Sequence, residues 1–150
     1  MNAPAASDPR RDWKARAAVL AAALWWGSLG TVGFLVVPLL FANLPSAALA
    51  GNVAGKLFAA EAWVAVGSAL VLLLASRAAQ RSSLQWRGGA LLFVIAGLLL
   101  ALLVELAVAP RILARENLRL WHGVGSAMYL LQWLCAGVVL WKVTSPEPPG

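Results

Sequence analysis

Residues Ala17–Phe41 read AAVLAAALWWGSLGTVGFLVVPLLF, twenty-five consecutive positions without a charge. About 20 apolar residues suffice for a helix to cross the hydrocarbon core of a bilayer, so this stretch is long enough to span one. The segment before it, SDPRRDWKAR at Ser7–Arg16, is basic, and its Ser7-Asp8-Pro9 opening carries helix-start signals: a capping oxygen, an acid near the free amides and a proline for the first turn. A cleavable signal peptide also begins with a basic region. Here, however, the apolar run exceeds the roughly 7–15 residues of a signal core, and no small-x-small cleavage site follows.

Three more windows repeat the pattern: Leu57–Ser76, Gly89–Ala109 and Leu120–Trp141. None alternates apolar with polar as a barrel strand does, and in lipid a lone chain must satisfy its amides within each segment, so all four windows are predicted helices. Composition agrees, with 61% hydrophobic and 12% charged residues against about 45–50% and about 25% in soluble domains. A soluble globule of 150 residues could not hide that much apolar surface. The fold class is all-α: an integral-membrane four-helix bundle over residues 17–141, with an N-terminal segment at 1–16 and a Pro-rich tail at 142–150. Connections are expected at Ala42–Lys56, with Pro45, Gly51 and Gly55, at Arg77–Gly88, and at Pro110–Arg119.

The net charge of +6 would suggest nucleic acid in a soluble protein. Here the basic residues lie between apolar runs, as orientation signals and headgroup anchors, and the expected partner is a lipid bilayer with no nucleic acid. Four spans put both termini on one side. That side carries Arg10, Arg11, Lys14, Arg16, Arg77, Arg81, Arg87 and Lys142, and the other carries Lys56, Arg111, Arg115 and Arg119. The excess of positive charge predicts both ends in the cytoplasm of a bacterial inner membrane. Trp13, Trp86 and Trp141 fall near that interface and Trp121 near the opposite one, while Trp25, Trp26 and Trp133 lie deeper, as packing residues. The single cysteine, Cys135, excludes an internal disulfide and leaves the redox compartment open.

Three ionisable residues interrupt the windows: Glu61, Glu105 and His122. Each is close to a window edge, and alternating helix direction brings the three edges to the non-cytoplasmic side, about 3–6 Å inside the apolar boundary, with Arg111 at the same level. Glu105 continues a small-residue stripe through Gly97, Ala101 and Ala109. Glu61 shares a stripe with Ala65, Ser68 and Ala69, and His122 begins a polar edge with Ser126, Tyr129 and Gln132. All three stripes suit a bundle interior, where small residues let helices approach. Gly27, Gly30 and Gly33 offer similar close approach on the first span, as does Gly123 on the last, and Pro38 should kink or end its helix. The Glu61, Glu105, His122 and Arg111 group reads either as a hydrogen-bonded structural cap or as a ligand or proton site.

The run LWWGSLGTVGFLVVPLLFANLP at Leu24–Pro45, the AGNVAGKLF stretch at Ala50–Phe58 and LRLWHGVGSAMYLLQWL from Leu118 together resemble a family of small bacterial membrane proteins, DUF4149, related to the eukaryotic transmembrane protein 205. The resemblance covers Leu24–Trp141. It rests on Trp25, Gly27, Pro38, Phe41, Pro45, Gly51, Phe58, His122 and Gly123, and it implies a four-helix membrane protein without an established activity.

No nucleophile elbow, HExxH zinc motif, phosphate loop or His-rich cluster occurs, and one histidine cannot supply both axial ligands of a haem. No metal, cofactor or enzymatic role is therefore expected. Two readings stay open: a bundle that acts by packing against a second copy or a membrane partner, and an oligomeric transporter of an ion, proton or small molecule that uses Glu61, Glu105 and His122.

Overall fold

A computed structural model describes residues 9–80 and 89–145. The chain forms α1 (Pro9–Thr31), a π-helical turn (Val32–Val36), α2 (Val37–Asn43), α3 (Ala47–Gln80), α4 (Ala90–Leu103), a second π-helical turn (Val104–Val108), α5 (Ala109–Leu113) and α6 (Leu118–Thr144). Four stretches are long and apolar enough to cross a membrane: Trp13–Asn43, Ala47–Arg77, Ala90–Leu113 and Leu118–Thr144. The described residues contain no strand.

Two expected loops are mostly helix. Ala42–Lys56 shrinks to Leu44–Ser46, and α3 starts at Ala47, where the Ser46 hydroxyl accepts the Leu49 amide at 3.2 Å in an N-capping bond. Gly51 and Gly55 lie inside α3. A helical glycine costs about 1 kcal/mol relative to alanine, yet α3 carries three, Gly51, Gly55 and Gly67: charge and glycine mark where apolar sequence begins, not where hydrogen bonding begins. Likewise Pro110–Leu113 continues the third span, leaving Ala114–Asn117 as the connection. There Arg115 and Asn117 take left-handed backbone angles, and the Asn117 side chain caps α6 by accepting the Leu120 amide. Pro9 opens α1 as expected. Ser7, Asp8, Arg81, Ser82, Trp86, Arg87 and the tail beyond Ser145 lie outside the described residues.

Each long helix packs on two neighbours, giving the ring order α1, α3, α4, α6. Little drives helices together within lipid except close packing, and the interior is accordingly built of small residues. Ala18, Ala21, Ala22, Ala65, Ala69, Ala101 and Ala136 surround Trp25, Leu29, Leu72, Val94 and Val139. Large side chains such as Leu20, Trp63, Leu92 and Leu106 point outward, as a lipid-facing surface would have them.

Glycines seat aromatic rings more than they seat helix backbones. Trp25 is fully buried and crosses from α1 to Gly97 on α4, where an added Cβ would come within 2.8 Å of its ring. Along the antiparallel α1–α6 seam, Trp26 lies over Gly137, Trp133 over Gly30 and Tyr129 over Gly33. Trp26 and Trp133 stack at 5.6 Å, and Phe34 meets Trp133 edge-on at 5.2 Å. Thus Gly30, Gly33, Gly97 and Ala101 are packing positions. Gly27 and Gly123 are not, since a Cβ at either meets nothing within 4 Å. Gly137 is a packing glycine that spacing alone did not single out.

Both interior prolines follow a π-helical turn. A proline lacks the N–H that would bond the carbonyl four residues back, and its ring crowds that carbonyl. In each case the preceding residue bonds one residue further back: Val37 N–H to Val32 O before Pro38, and Ala109 N–H to Val104 O before Pro110. Pro38 therefore widens its helix locally and does not end it.

Candidate functional site

Helix α3 places Glu61 fourteen residues after Ala47, about 21 Å along the helix. The sequence put it four residues from a window edge, so the added helix at 47–56 moves this acid to mid-helix. Its stripe behaves as the spacing requires: Ala65, Ser68 and Ala69 are buried and Glu61 is 5% exposed. Such a carboxylate needs a partner, and Ser28 Oγ on α1 donates to Glu61 Oε1 at 2.7 Å. The same hydroxyl lies 3.2 Å from Trp25 O. With one proton to give, it serves the carboxylate or the carbonyl, not both.

Glu105 sits within the second π-helical turn, eight residues before Leu113, about 12 Å from that end. On α6, Tyr129 donates its hydroxyl to Leu29 O at 2.8 Å and meets Phe58 edge-on at 5.1 Å, which fixes the ring against α1 and α3. One turn further along, Gln132 is 3% exposed.

Phe58, Glu61, Ala62, Ala101, Val104, Glu105, Tyr129 and Gln132 line one narrow cleft between α3, the third span and α6. The structure thus brings Glu61 and Glu105 together, deeper along their helices than the sequence placed them. It does not bring His122 or Arg111 to them. His122 is exposed in the first turns of α6. Arg111 is exposed as well, donating Nη1 to Ala107 O at 2.6 Å and holding its guanidinium 4.6 Å over the Trp121 ring. Extension of α3 at 47–56 and of the third span at 110–113 explains the split, because each deepened its acid while His122 stayed in the first turns of α6 and Arg111 at the end of α5. Ser28 was missed; the available signal was a hydroxyl between Gly27 and Gly30 in an apolar span. Tyr129 and Gln132 were on the polar edge led by His122, and they, not the histidine, face the site.

Chemically, the cleft offers two carboxylates and a carboxamide on an otherwise carbon-lined wall. The described residues contain no group of three His, Cys, Asp or Glu side chains disposed around a common metal position. Among the resemblance residues, Trp25 fills the bundle centre and Phe58 lines the cleft. Pro38 follows the first π-helical turn. Phe41 and Pro45 are exposed around the first connection, and Gly123 is exposed on α6.

No curated protein and no solved structure matches the chain. The likeness to transmembrane protein 205 rests on the quoted motifs alone. The family described as domain of unknown function DUF4149 matches residues 20–120, which takes in Glu61 and Glu105 and stops before Tyr129 and Gln132. A membrane chain matched over its first three spans and the start of its fourth belongs to the DUF4149 family.

Proposed function

We propose that this protein is a membrane transport protein that takes up a proton or a small cationic ligand in the Glu61–Glu105 cleft. One observation carries the reading: carboxylates from two neighbouring helices line one interior cleft, and among the described residues neither forms an ion pair. Acids inside membrane spans are costly and mark ion pathways and proton relays. A second copy would complete the pathway, since four helices make a thin wall for a transporter. On this reading the chain is no enzyme. It resides in a bacterial inner membrane with both termini in the cytoplasm, as the distribution of Lys and Arg favours.

Proteoliposomes loaded with a pH-sensitive dye and purified protein test the reading. Cation-dependent proton movement should occur with the parent protein and fall to the background of empty liposomes with Glu105→Gln. Flux that is the same in the parent and the variant rejects the cleft as the site.

A role in assembly has its own support. Gly51 and Gly55, four residues apart on α3, are both exposed, and a Cβ added at either would meet nothing within 4 Å; exposed Gly-xxx-Gly pairs associate membrane helices. Native mass spectrometry should report an oligomer that Gly55→Leu dissociates; a monomer in the parent would remove this reading.

A further inference from the structure

We infer that the turn between α5 and α6 binds the headgroup of an anionic phospholipid, whose phosphate is held by Arg111 and Arg115. Neither arginine lines the Glu61–Glu105 cleft, so this site is independent of the function proposed above.

Arg111 is fixed before any anion arrives. Its guanidinium lies 4.6 Å over the Trp121 ring, a favourable place for a cation, and its Nη1 donates to Ala107 O at 2.6 Å. Among the described residues it forms no ion pair and no other side-chain hydrogen bond. A guanidinium has five N–H donors, so most stay available, in the planar fork that suits a phosphate. Arg115 is held in a costly backbone. Its N–H bonds Ile112 O at 3.1 Å and the Glu116 N–H bonds Arg111 O at 3.1 Å, a pair of bonds that closes a helix end around a left-handed residue, commonly glycine. Here that residue is Arg115, at φ 57°. Glycine would take the angle without the strain that a Cβ brings, and the exposed arginine side chain has no partner among the described residues to offset it. Glu116 is tied to Arg111 through its backbone, yet its carboxylate pairs with neither arginine. Two unpaired guanidinium groups within one turn of each other are thus left to bind an anion from outside the chain.

The surroundings favour a lipid as the source of that anion. Leu113, midway between the two arginines, is 80% exposed, and Leu106 is 73% exposed. A free phosphate would leave this carbon in water, whereas acyl chains cover it. Trp121 is half-buried at the start of α6, where a tryptophan marks the headgroup level of a spanning helix. Three arginines against one acid within Arg111–Arg119 give the turn a net positive charge, and basic clusters beside membrane helices bind anionic headgroups.

Native mass spectrometry of the full-length protein in micelles, titrated with phosphatidylglycerol and with phosphatidylcholine of the same acyl chains, tests this. Both lipids carry the phosphate, and in the second the choline cancels its charge. Phosphatidylglycerol should bind about tenfold more tightly. Arg111→Gln should erase most of that difference, and so should Arg115→Gly, while the melting temperature of lipid-free Arg115→Gly holds or rises because glycine suits the turn. Arg77→Gln, which removes an exposed cation from the far end of α3, should leave the preference intact. Equal affinity for the two lipids, or a loss in Arg77→Gln as large as that in Arg111→Gln, overturns the site. A lower melting temperature in Arg115→Gly would make that arginine part of the turn's own structure and overturns its role. Displacement of phosphatidylglycerol by glycerol phosphate at equal concentration would identify a free organic phosphate as the ligand, and the lipid assignment would fall.

Discussion

Trp25 is the residue on which the bundle centre depends. A Cβ at Gly97 would lie 2.8 and 3.0 Å from two atoms of its ring and 3.4 Å from Cys135 Cβ. The indole has no free space into which to retreat, being fully buried. Gly97→Ala should therefore cost about 1–3 kcal/mol, as overpacking does, in thermal or denaturant unfolding in micelles. Gly67→Ala is the matched control: the site meets nothing within 4 Å, and replacing a helical glycine by alanine there should be neutral or add up to about 1 kcal/mol. Equal losses at both would show that Trp25 does not fill the centre. Separation of the charged residues yields a second expectation. Because Glu105 faces the cleft and His122 lies exposed near the start of α6, a double-mutant cycle between them should be additive within about 0.5 kcal/mol. The cycle between Glu61 and Ser28, 2.7 Å apart, should show coupling. The stripes that pointed Glu61 and Glu105 inward were legible, since side-chain direction follows from helical spacing. Their neighbours Ser28 and Gln132 were not, because the register of one helix against another is not written along a single chain.

At the scale of elements, two π-helical turns depart from regular helix, and the second contributes Val104 and Glu105 to the site. Pro38 was readable as a disturbance, and Pro110 only as the start of a connection. The form of the disturbance was not, since a missing N–H can be met by a kink, an end or a widened turn. Lipid decides among these, because a spanning helix that ended midway would expose unpaired carbonyls and amides. Widening keeps the ladder nearly whole, with Ala109 N–H on Val104 O, and it sets the direction of Glu105 within the turn. Pro110→Ala would restore the donor to Leu106 O and let the turn relax to α-helix. Stability should hold or rise, while the loss of cation-dependent proton movement on Glu105→Gln should shrink in the Pro110→Ala background because the acid has already left the cleft. The proteoliposome assay on the four proteins of that cycle measures it. Full additivity of the two substitutions in flux would mean that the π-helical turn does not position Glu105. The missed helix at 47–56 has a related cause: hydropathy falls at Lys56 and at the glycines, yet the hydrogen-bond ladder runs through them to the Ser46 cap.

For the whole molecule, the ring of four helices with connections at Leu44–Ser46 and Ala114–Asn117 puts these two connections at the same end of the bundle. Among the described residues, Lys14, Arg16, Arg77 and Lys142 lie toward the other end, and the remaining basic residues that the sequence assigns to that side are Arg10, Arg11, Arg81 and Arg87. Positive charge is retained on the cytoplasmic side during insertion, so the end that holds Ser46 and Ala114 should face away from the cytoplasm. In a Cys135→Ser background, cysteine substitutions at Ser46 and Ala114 should react with a membrane-impermeant maleimide in intact cells, whereas one at Ser82 should react only after the membrane is opened. The two outcomes test different claims. Labelling at position 82 alone would reverse the orientation and leave the bundle intact, since 46 and 114 would still behave alike. Labelling at 46 without 114 would break the bundle itself. The third span would then fail to cross, Glu105 would leave the level of Glu61, and the cleft between them would not exist in the membrane.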